Sequence, residues 1–168
     1  MLIPFSRNPI QNYSINPMHN FNINPLRNYN INPVRNYSLN PHHNYSITPL
    51  HNFSLNPLRN YSLNPYHNYS INPLTNFNVS PLYNSNIPGW YRFDKTGTYQ
   101  GFTVNTSENT FLVEYDKSFK LKSFWIKRGT GYCIFNWDTM EYIGYSETDG
   151  SKGYNIFEIN GNWIGYLR

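Results

Sequence analysis

The chain has 168 residues, a formal net charge of +4 and a single cysteine. One cysteine excludes a framework of intrachain disulfides, and no run approaches the ~20 apolar residues of a membrane-spanning helix. The first residues show no cationic start followed by an apolar run, so the sequence predicts no secretory signal, a cytoplasmic location and no membrane insertion. Charge is uneven, because residues 1–87 hold four Arg, five His and no Asp or Glu, whereas residues 88–168 are neutral.

Residues 8–87 are ten consecutive copies of an octapeptide with the consensus Asn-Pro-x-x-Asn-Tyr-Ser-Ile. Proline holds the second place of every copy, which forbids a helix longer than about two turns. Asn-Pro opens a turn. The aromatic, small polar and aliphatic residues that end each octad alternate like a short strand, with the aromatic and aliphatic side chains facing inward. Each octad is therefore predicted to be one turn and one short strand.

Tandem copies of a short unit indicate an array in which each copy stacks on its neighbours. We therefore predict an all-β protein in which residues 1–87 form a β-solenoid, with coils of two octads favoured over coils of three. Stacking would align the Asn, Tyr and Ile side chains in columns.

The octads look like Asn-Pro-x-x-Asn repeats of hypothetical bacterial proteins, and their turns resemble the β-roll of nonapeptide repeats. The acidic calcium ligands of the β-roll are absent, so calcium binding is not expected.

The fourth place of the octad carries a row of basic residues, named here the basic stripe. Its members are His19, Arg27, Arg35, His43, His51, Arg59 and His67. Like charges along an ordered rod discourage sideways aggregation. Alternatively, the stripe is a track for an anionic polymer, strengthened as the histidines gain charge below about pH 6.5. The histidines have no Cys or carboxylate companion, so no metal site is predicted. Ice-binding proteins also have flat, repetitive faces. Those faces usually present arrays of Thr, whereas the corresponding place in this chain is Ser or Asn, so ice binding is a minor alternative.

A second, longer repeat follows in residues 88–168. The aromatic residues Phe93, Tyr115, Phe135 and Phe157 each begin a stretch with turn-forming residues, and a small residue followed by an aromatic comes eight or nine residues later. Each copy reads as a β-hairpin of about sixteen residues. Because a lone hairpin is marginal in water, the four are predicted to pack as a small pseudo-fourfold β domain with an aromatic centre.

The fourfold pattern of aromatic, Asp or Asn, Gly and a later Gly-aromatic pair resembles the bacterial 4-fold β-flower domain. The resemblance covers about residues 89–168 and implies a small all-β domain without catalytic residues. Phe119 and Thr139 stand where the first and fourth copies have a turn glycine, so the second and third turns are expected to differ.

The sequence offers little catalytic chemistry. Residues 88–168 contain no histidine, so Cys133 lacks an imidazole base and is predicted to be a buried structural thiol. Glu114 and Asp116, with lysines nearby, are predicted to be solvated charge pairs rather than a hydrolytic dyad. No phosphate loop, metal-ligand spacing or nucleophile elbow is visible. We therefore expect no catalytic residue, no cofactor, no metal and no enzymatic activity.

A second group of basic residues flanks two aromatics. It consists of Lys120, Lys122, Phe124, Trp125, Lys127 and Arg128. With exposed rings, such a group would bind nucleic acid or anionic sugars; with buried rings, Phe124 and Trp125 belong to the core.

These observations predict a non-enzymatic structural or protein-interaction protein, a rigid β-rod that carries a hairpin domain for recognition or capping. Its partner would be an unknown protein or a second copy joined end to end at the open start of the rod. The alternative is a polyanion- or glycan-binding module that uses the basic stripe.

Overall fold

The computed structural model describes residues 3–106 and 109–168. Within these residues, ten short 3₁₀ helices, η1 to η10, are followed by eight strands, β1 to β8. The helices are η1 (Phe5–Arg7), η2 (Tyr13–Ile15), η3 (Phe21–Ile23), η4 (Tyr29–Ile31), η5 (Tyr37–Leu39), η6 (Tyr45–Ile47), η7 (Phe53–Leu55), η8 (Tyr61–Leu63), η9 (Tyr69–Ile71) and η10 (Phe77–Val79). The strands are β1 (Tyr91–Asp94), β2 (Tyr99–Asn105), β3 (Phe111–Asp116), β4 (Leu121–Arg128), β5 (Gly131–Asn136), β6 (Tyr142–Thr148), β7 (Tyr154–Glu158) and β8 (Trp163–Leu167).

The strands pair antiparallel in chain order, and β1 also pairs with β8, so the sheet closes into a barrel. Tight turns join β1 to β2, β3 to β4, β5 to β6 and β7 to β8, at the four places where the sequence predicts hairpins. Each of these hairpins has a register shift directly before the aromatic residue that begins the predicted turn stretch. Such bulges bend a strand and increase its twist, so their fourfold repetition curves the sheet toward closure. The register shifts lie at Arg92/Phe93, Glu114/Tyr115, Ile134/Phe135 and Ile156/Phe157.

The four turns are similar but not identical. Gly97 and Gly161 adopt positive φ values of 90° and 91° in the first and fourth turns. Phe119 occupies the equivalent place in the second turn with φ 67°, a conformation that bulky side chains rarely adopt. In the third turn the positive φ, 63°, falls on Met140. The expectation that the turn differs is therefore confirmed for the third turn, which is one residue longer, and is wrong for the second, which keeps the backbone conformation of the glycine turns.

The barrel is apolar on both faces of its sheet. Leu112, Trp125 and Ile156 lie in one buried cluster, which fills the barrel interior. Because successive side chains of a strand point to opposite faces, Phe102 and Phe124 lie on the outer face, and both are fully buried as well. A barrel with an apolar outer face needs a cover, and residues 3–87 provide it.

Residues 3–87 fold as tight turns, and their backbone hydrogen bonds join residues no more than four apart. In the octad that begins at Asn32, the carbonyl of Asn32 accepts from the amides of Arg35 and Asn36 at 3.0 and 2.7 Å. The Asn36 carbonyl then accepts from Leu39 at 3.1 Å and closes η5. The Asn36 side chain caps η5 by accepting from the Ser38 amide at 3.3 Å. Such local side-chain bonds compete with strand ladders, and here the turn forms instead of the predicted strand.

Side-chain amides connect each octad to the previous one. The first asparagine donates to a proline carbonyl seven residues earlier, as Asn32 Nδ2 does to Pro25 at 3.1 Å. The second asparagine donates to a carbonyl six residues earlier, as Asn36 Nδ2 does to Asn30 at 2.9 Å. Each repeated asparagine thus has two roles: its side chain closes a turn within its own octad, and it bonds that octad to the previous one. The expected columns between stacked coils do not form.

The octad array runs once around the outside of the barrel, and we name residues 3–87 the belt. Barrel donors reach backbone carbonyls of the belt in reverse strand order. The bonds run from Arg168 Nε to Arg7 at 2.6 Å, from Asn155 Nδ2 (β7) to Ile15 at 3.1 Å, from Cys133 Sγ (β5) to Leu39 at 3.5 Å, from Tyr115 Oη (β3) to Ile71 at 2.7 Å, and from Tyr91 Oη (β1) to Ser85 at 2.6 Å. The two ends of the belt therefore meet where β1 pairs with β8.

Belt and barrel share one core. The aliphatic side chains that end the octads, among them Leu63, Ile71 and Val79, pack in the same cluster as Phe102 and Phe124 of the barrel. The prediction of a β-solenoid with two-octad coils, followed by a separate four-hairpin domain, is wrong. The reason is that the octad buries its aliphatic residue against another part of the chain rather than against other octads. The stacked coils on which the expected end-to-end association depended do not form, since the belt's backbone bonds stay within four residues.

Candidate functional site: the outer face of the belt

Each octad has a buried side and an exposed side. The last residue of one octad and the Asn-Pro that follows face the barrel and are buried or half-buried, as in Ile15, Asn16 and Pro17, which are all buried. The third, fourth, sixth and seventh places face outward. The prediction that the aromatic sixth place faces inward is wrong, since these rings have exposed fractions from 54% at Tyr29 to 64% at Tyr69.

Every member of the basic stripe lies on the aromatic ring six residues earlier. The imidazole of His19 stacks on Tyr13 with centroids 3.9 Å apart, and the guanidinium of Arg35 lies 4.8 Å from the ring centre of Tyr29. The seven pairs are Tyr13–His19, Phe21–Arg27, Tyr29–Arg35, Tyr37–His43, Tyr45–His51, Phe53–Arg59 and Tyr61–His67. The stripe is thus one row of paired side chains around the molecule.

The octad geometry produces this stacking. The bond from Asn36 Nδ2 to the carbonyl of Asn30 joins two octads beside Arg35 and Tyr29, at 2.9 Å. An equivalent bond links Asn20 to Ser14, at 2.8 Å, beside the pair of His19 and Tyr13. Because the same bond recurs along the belt, each residue of the basic stripe meets the aromatic ring of the octad before it.

The outer face combines positive charge with exposed apolar groups. Residues 1–87 contain no Asp or Glu, so the belt itself supplies no carboxylate to neutralise its arginines. The aromatic faces hold these guanidiniums by cation–π attraction, which is worth about 0.5–1 kcal/mol at exposed sites. Leu58, Leu74 and Leu82, at the third place, are 61%, 69% and 75% exposed. An exposed surface that is both apolar and cationic is typical of interaction sites.

The histidines of the belt are held apart on their own rings. His42, outside the stripe, meets Tyr142 of β6 edge-on, with centroids 5.7 Å apart. Across residues 3–106 and 109–168, no three His, Cys, Asp or Glu side chains lie close enough together to hold a metal ion.

The second predicted group does not form one surface. Lys120 and Lys122 are exposed near the β3–β4 turn, whereas Phe124 and Trp125 are fully buried on opposite faces of β4. Lys127 lies 5.0 Å from the ring centre of Tyr132. Arg128 is buried and pairs with Glu147 at 3.0 Å. The core interpretation of the two rings is the one that the structure supports.

The potentially reactive groups of the barrel serve its packing. Cys133 is buried against the Leu39 carbonyl, as expected, and burial raises the pKa of its thiol to about 11. The expectation that Glu114 is a solvated charge is wrong. It is 2% exposed, and both of its oxygens accept from Arg92 Nη1, at 2.8 and 2.7 Å. Ser123 donates to the same carboxylate at 2.5 Å, so Glu114 is the centre of a buried polar cluster.

The sequence reasoning found the stripe but missed its aromatic partners. It assigned the rings to an interior because alternation favoured a strand. The signal that could have found them is the constant six-residue interval between an aromatic and the next basic residue. Six of the nine aromatics are tyrosines, and the need of so many hydroxyls for a partner or for water would also have indicated an outward position.

Comparison with protein-family models, curated proteins and solved structures finds no match for this chain. The resemblance to the 4-fold β-flower domain therefore stays a prediction. None of the helices in the part of the chain that the structure describes is long and apolar enough to cross a membrane.

Proposed function

We propose that this protein is a non-enzymatic interaction protein whose binding surface is the outer face of the belt. The observation that carries the proposal is the row of seven ring-and-cation pairs. Aromatic residues and arginine are enriched among the residues that dominate the binding energy of protein interfaces. Here they recur at regular intervals around one molecule.

The charge of this face favours a particular kind of partner. Two belts placed against each other would oppose arginine to arginine, with no belt carboxylate between them. Like charges across an interface are costly, whereas complementary potentials speed association and select partners. The preferred partner is therefore a protein with an acidic and partly apolar surface rather than a second copy of this chain.

The experiment compares two pairs of exposed apolar residues. Leu74→Ser with Leu82→Ser alters the belt face, and Ile143→Ser with Ile159→Ser removes exposed side chains from the barrel, where they are 45% and 40% exposed. The full-length chains are immobilised, and the proteins that they retain from a cell extract are compared. Partners retained by the unmodified chain and the barrel variant but lost from the belt variant are the expected result. Equal retention by all three chains would contradict the proposal.

A second candidate is a binding module for anionic polymers. The observation that favours it is that Arg27, Arg35 and Arg59 lie over aromatic rings, and a combination of cations and rings also suits bases or sugar rings. Binding to heparin and to single-stranded oligonucleotides should then weaken steeply with added salt. Replacing the three arginines by Ser should abolish it. Binding that is unchanged in this triple variant would exclude the stripe as the site.

A further inference from the structure

A cleft of about 520 Å³ lies where the two ends of the belt meet beside the pairing of β1 with β8. We name it the seam cleft. Arg7 and Ser85 line it from the two belt ends, Trp90 from the segment that enters the barrel, and Lys152 from the loop between β6 and β7. Its volume falls in the range of small-molecule sites, about 300–1,000 Å³.

The seam cleft has more positive than negative charge among the described residues that build it. Arg168 is buried beneath it, with a side chain only 3% exposed, and its Nη1 lies 3.1 Å from the carboxylate of Asp149. Burial lowers the pKa of Arg168 to about 10, and the guanidinium of Arg7 acts in the same direction. The cleft is therefore lined by three cationic side chains, Arg7, Lys152 and Arg168, of which Arg168 pairs with Asp149.

Two of these donors lack an acceptor. Within the described residues, the buried atoms Arg168 Nη2 and Arg7 Nε donate no hydrogen bond to the protein. A buried charged donor without a partner is costly. An anion bound at this place would relieve that cost through its charge, which acts strongly where water is excluded.

The apolar part of the cleft is held in place by hydrogen bonds. Trp90 Nε1 donates to the Lys152 carbonyl at 3.0 Å, and Tyr91 Oη donates to the Ser85 carbonyl at 2.6 Å. Tyr154 meets the Trp90 ring edge-on, with centroids 5.4 Å apart. These rings form a fixed wall beside Lys152, which suits a planar group.

We propose that the seam cleft binds a small organic anion. Its phosphate or carboxylate group lies against Arg7 and Lys152, and its planar apolar part lies against Trp90 and Tyr154.

The test titrates the full-length chain with phenyl phosphate and benzoate, which represent the two anion types, and with phenol as the uncharged control. Tryptophan fluorescence and calorimetry follow binding. Saturable binding of at least one anion, no saturation with phenol, and a higher melting temperature with the anion bound are expected. The tighter of the two anions identifies the ligand type. No saturation with either anion would overturn the proposal.

Paired variants locate the site. Arg7→Gln with Lys152→Gln should weaken anion binding at least tenfold, and it leaves the Arg7 carbonyl in place for Arg168. Lys95→Gln with Lys117→Gln makes the same change in net charge at the exposed β1–β2 and β3–β4 turns and should bind like the unmodified chain. Equal affinities in the two paired variants would show an effect of net charge only and would overturn the proposal. The outer face of the belt is unchanged in all of them, so this result is independent of the proposed function.

Discussion

The belt and the barrel reach order by opposite means. Barrel strands bond along their whole length to neighbours and close into a ring, so its backbone is held by long-range pairing. Belt backbone bonds reach no further than four residues, and neighbouring octads are tied by asparagine side chains. The belt therefore has local order everywhere but no core of its own. A short repeat does not need to stack on itself when another part of the chain offers it an apolar surface.

The largest effect is expected from separating the two regions. Residues 88–168 alone would expose the outer face of the barrel, where Phe102, Phe124 and Phe135 are at most 2% exposed in the whole chain. We expect this fragment to aggregate or to bind hydrophobic dyes, and residues 1–87 alone to lack cooperative unfolding. Co-expression of the two fragments should restore a soluble complex. Circular dichroism and dye fluorescence provide the measurement, and a cooperative, dye-free fragment 88–168 would refute the dependence of the barrel on the belt.

An intermediate effect is expected inside the barrel. Glu114→Gln leaves the charge of Arg92 without its carboxylate in a buried cluster. Breaking a buried pair by removing one partner costs about 3–5 kcal/mol, and the partial exposure of Arg92 places the expected loss of unfolding free energy near the lower figure. Urea unfolding measures it. Glu141→Gln, at an exposed position, serves as the control and should change little; the same stability in both variants would argue against the cluster as a determinant of barrel stability.

The smallest effect is expected from one octad. Asn32→Ala removes the bond to the Pro25 carbonyl, at 3.1 Å, and the bond from the Val34 amide, at 2.9 Å. Two bonds at a buried position are worth about 1–3 kcal/mol. Asn30→Ala makes the same substitution at an exposed position of the same belt region, where the backbone carbonyl still accepts from Asn36. Thermal or urea unfolding of the two variants should differ, and equal stability would show that the belt does not depend on its asparagine ties.

The sequence allowed part of this fold to be predicted. Prolines at eight-residue intervals excluded long helices, and the turn chemistry after Phe93, Tyr115, Phe135 and Phe157 located four of the turns between strands. Closure into a barrel was not predictable from a single hairpin, because it depends on the pairing of β1 with β8 across the whole domain. The outer apolar face of the strands was read as part of an aromatic centre, since a sequence pattern does not say which of two buried faces lies inside.

Only one part of the candidate site, the basic stripe, was predicted from the sequence. Exposure of the basic stripe followed from its charge, but the position of the rings followed from the octad geometry. Asn36 illustrates the difficulty: its side chain closes a turn with Ser38 and ties one octad to another, and both bonds work against the strand that alternation favoured. Three-residue alternation is too short to distinguish a strand from a 3₁₀ turn.

The closed path of the belt also limits how this protein can change. Tandem repeats elsewhere gain or lose copies with little consequence, since an open stack can simply become longer or shorter. Here ten octads encircle eight strands, and Arg7 and Ser85 must arrive at the same place. Deleting one octad would expose part of the apolar outer face of the barrel. Inserting one would add an octad with no barrel surface to pack against. The circumference of the barrel therefore determines the number of octads in the belt.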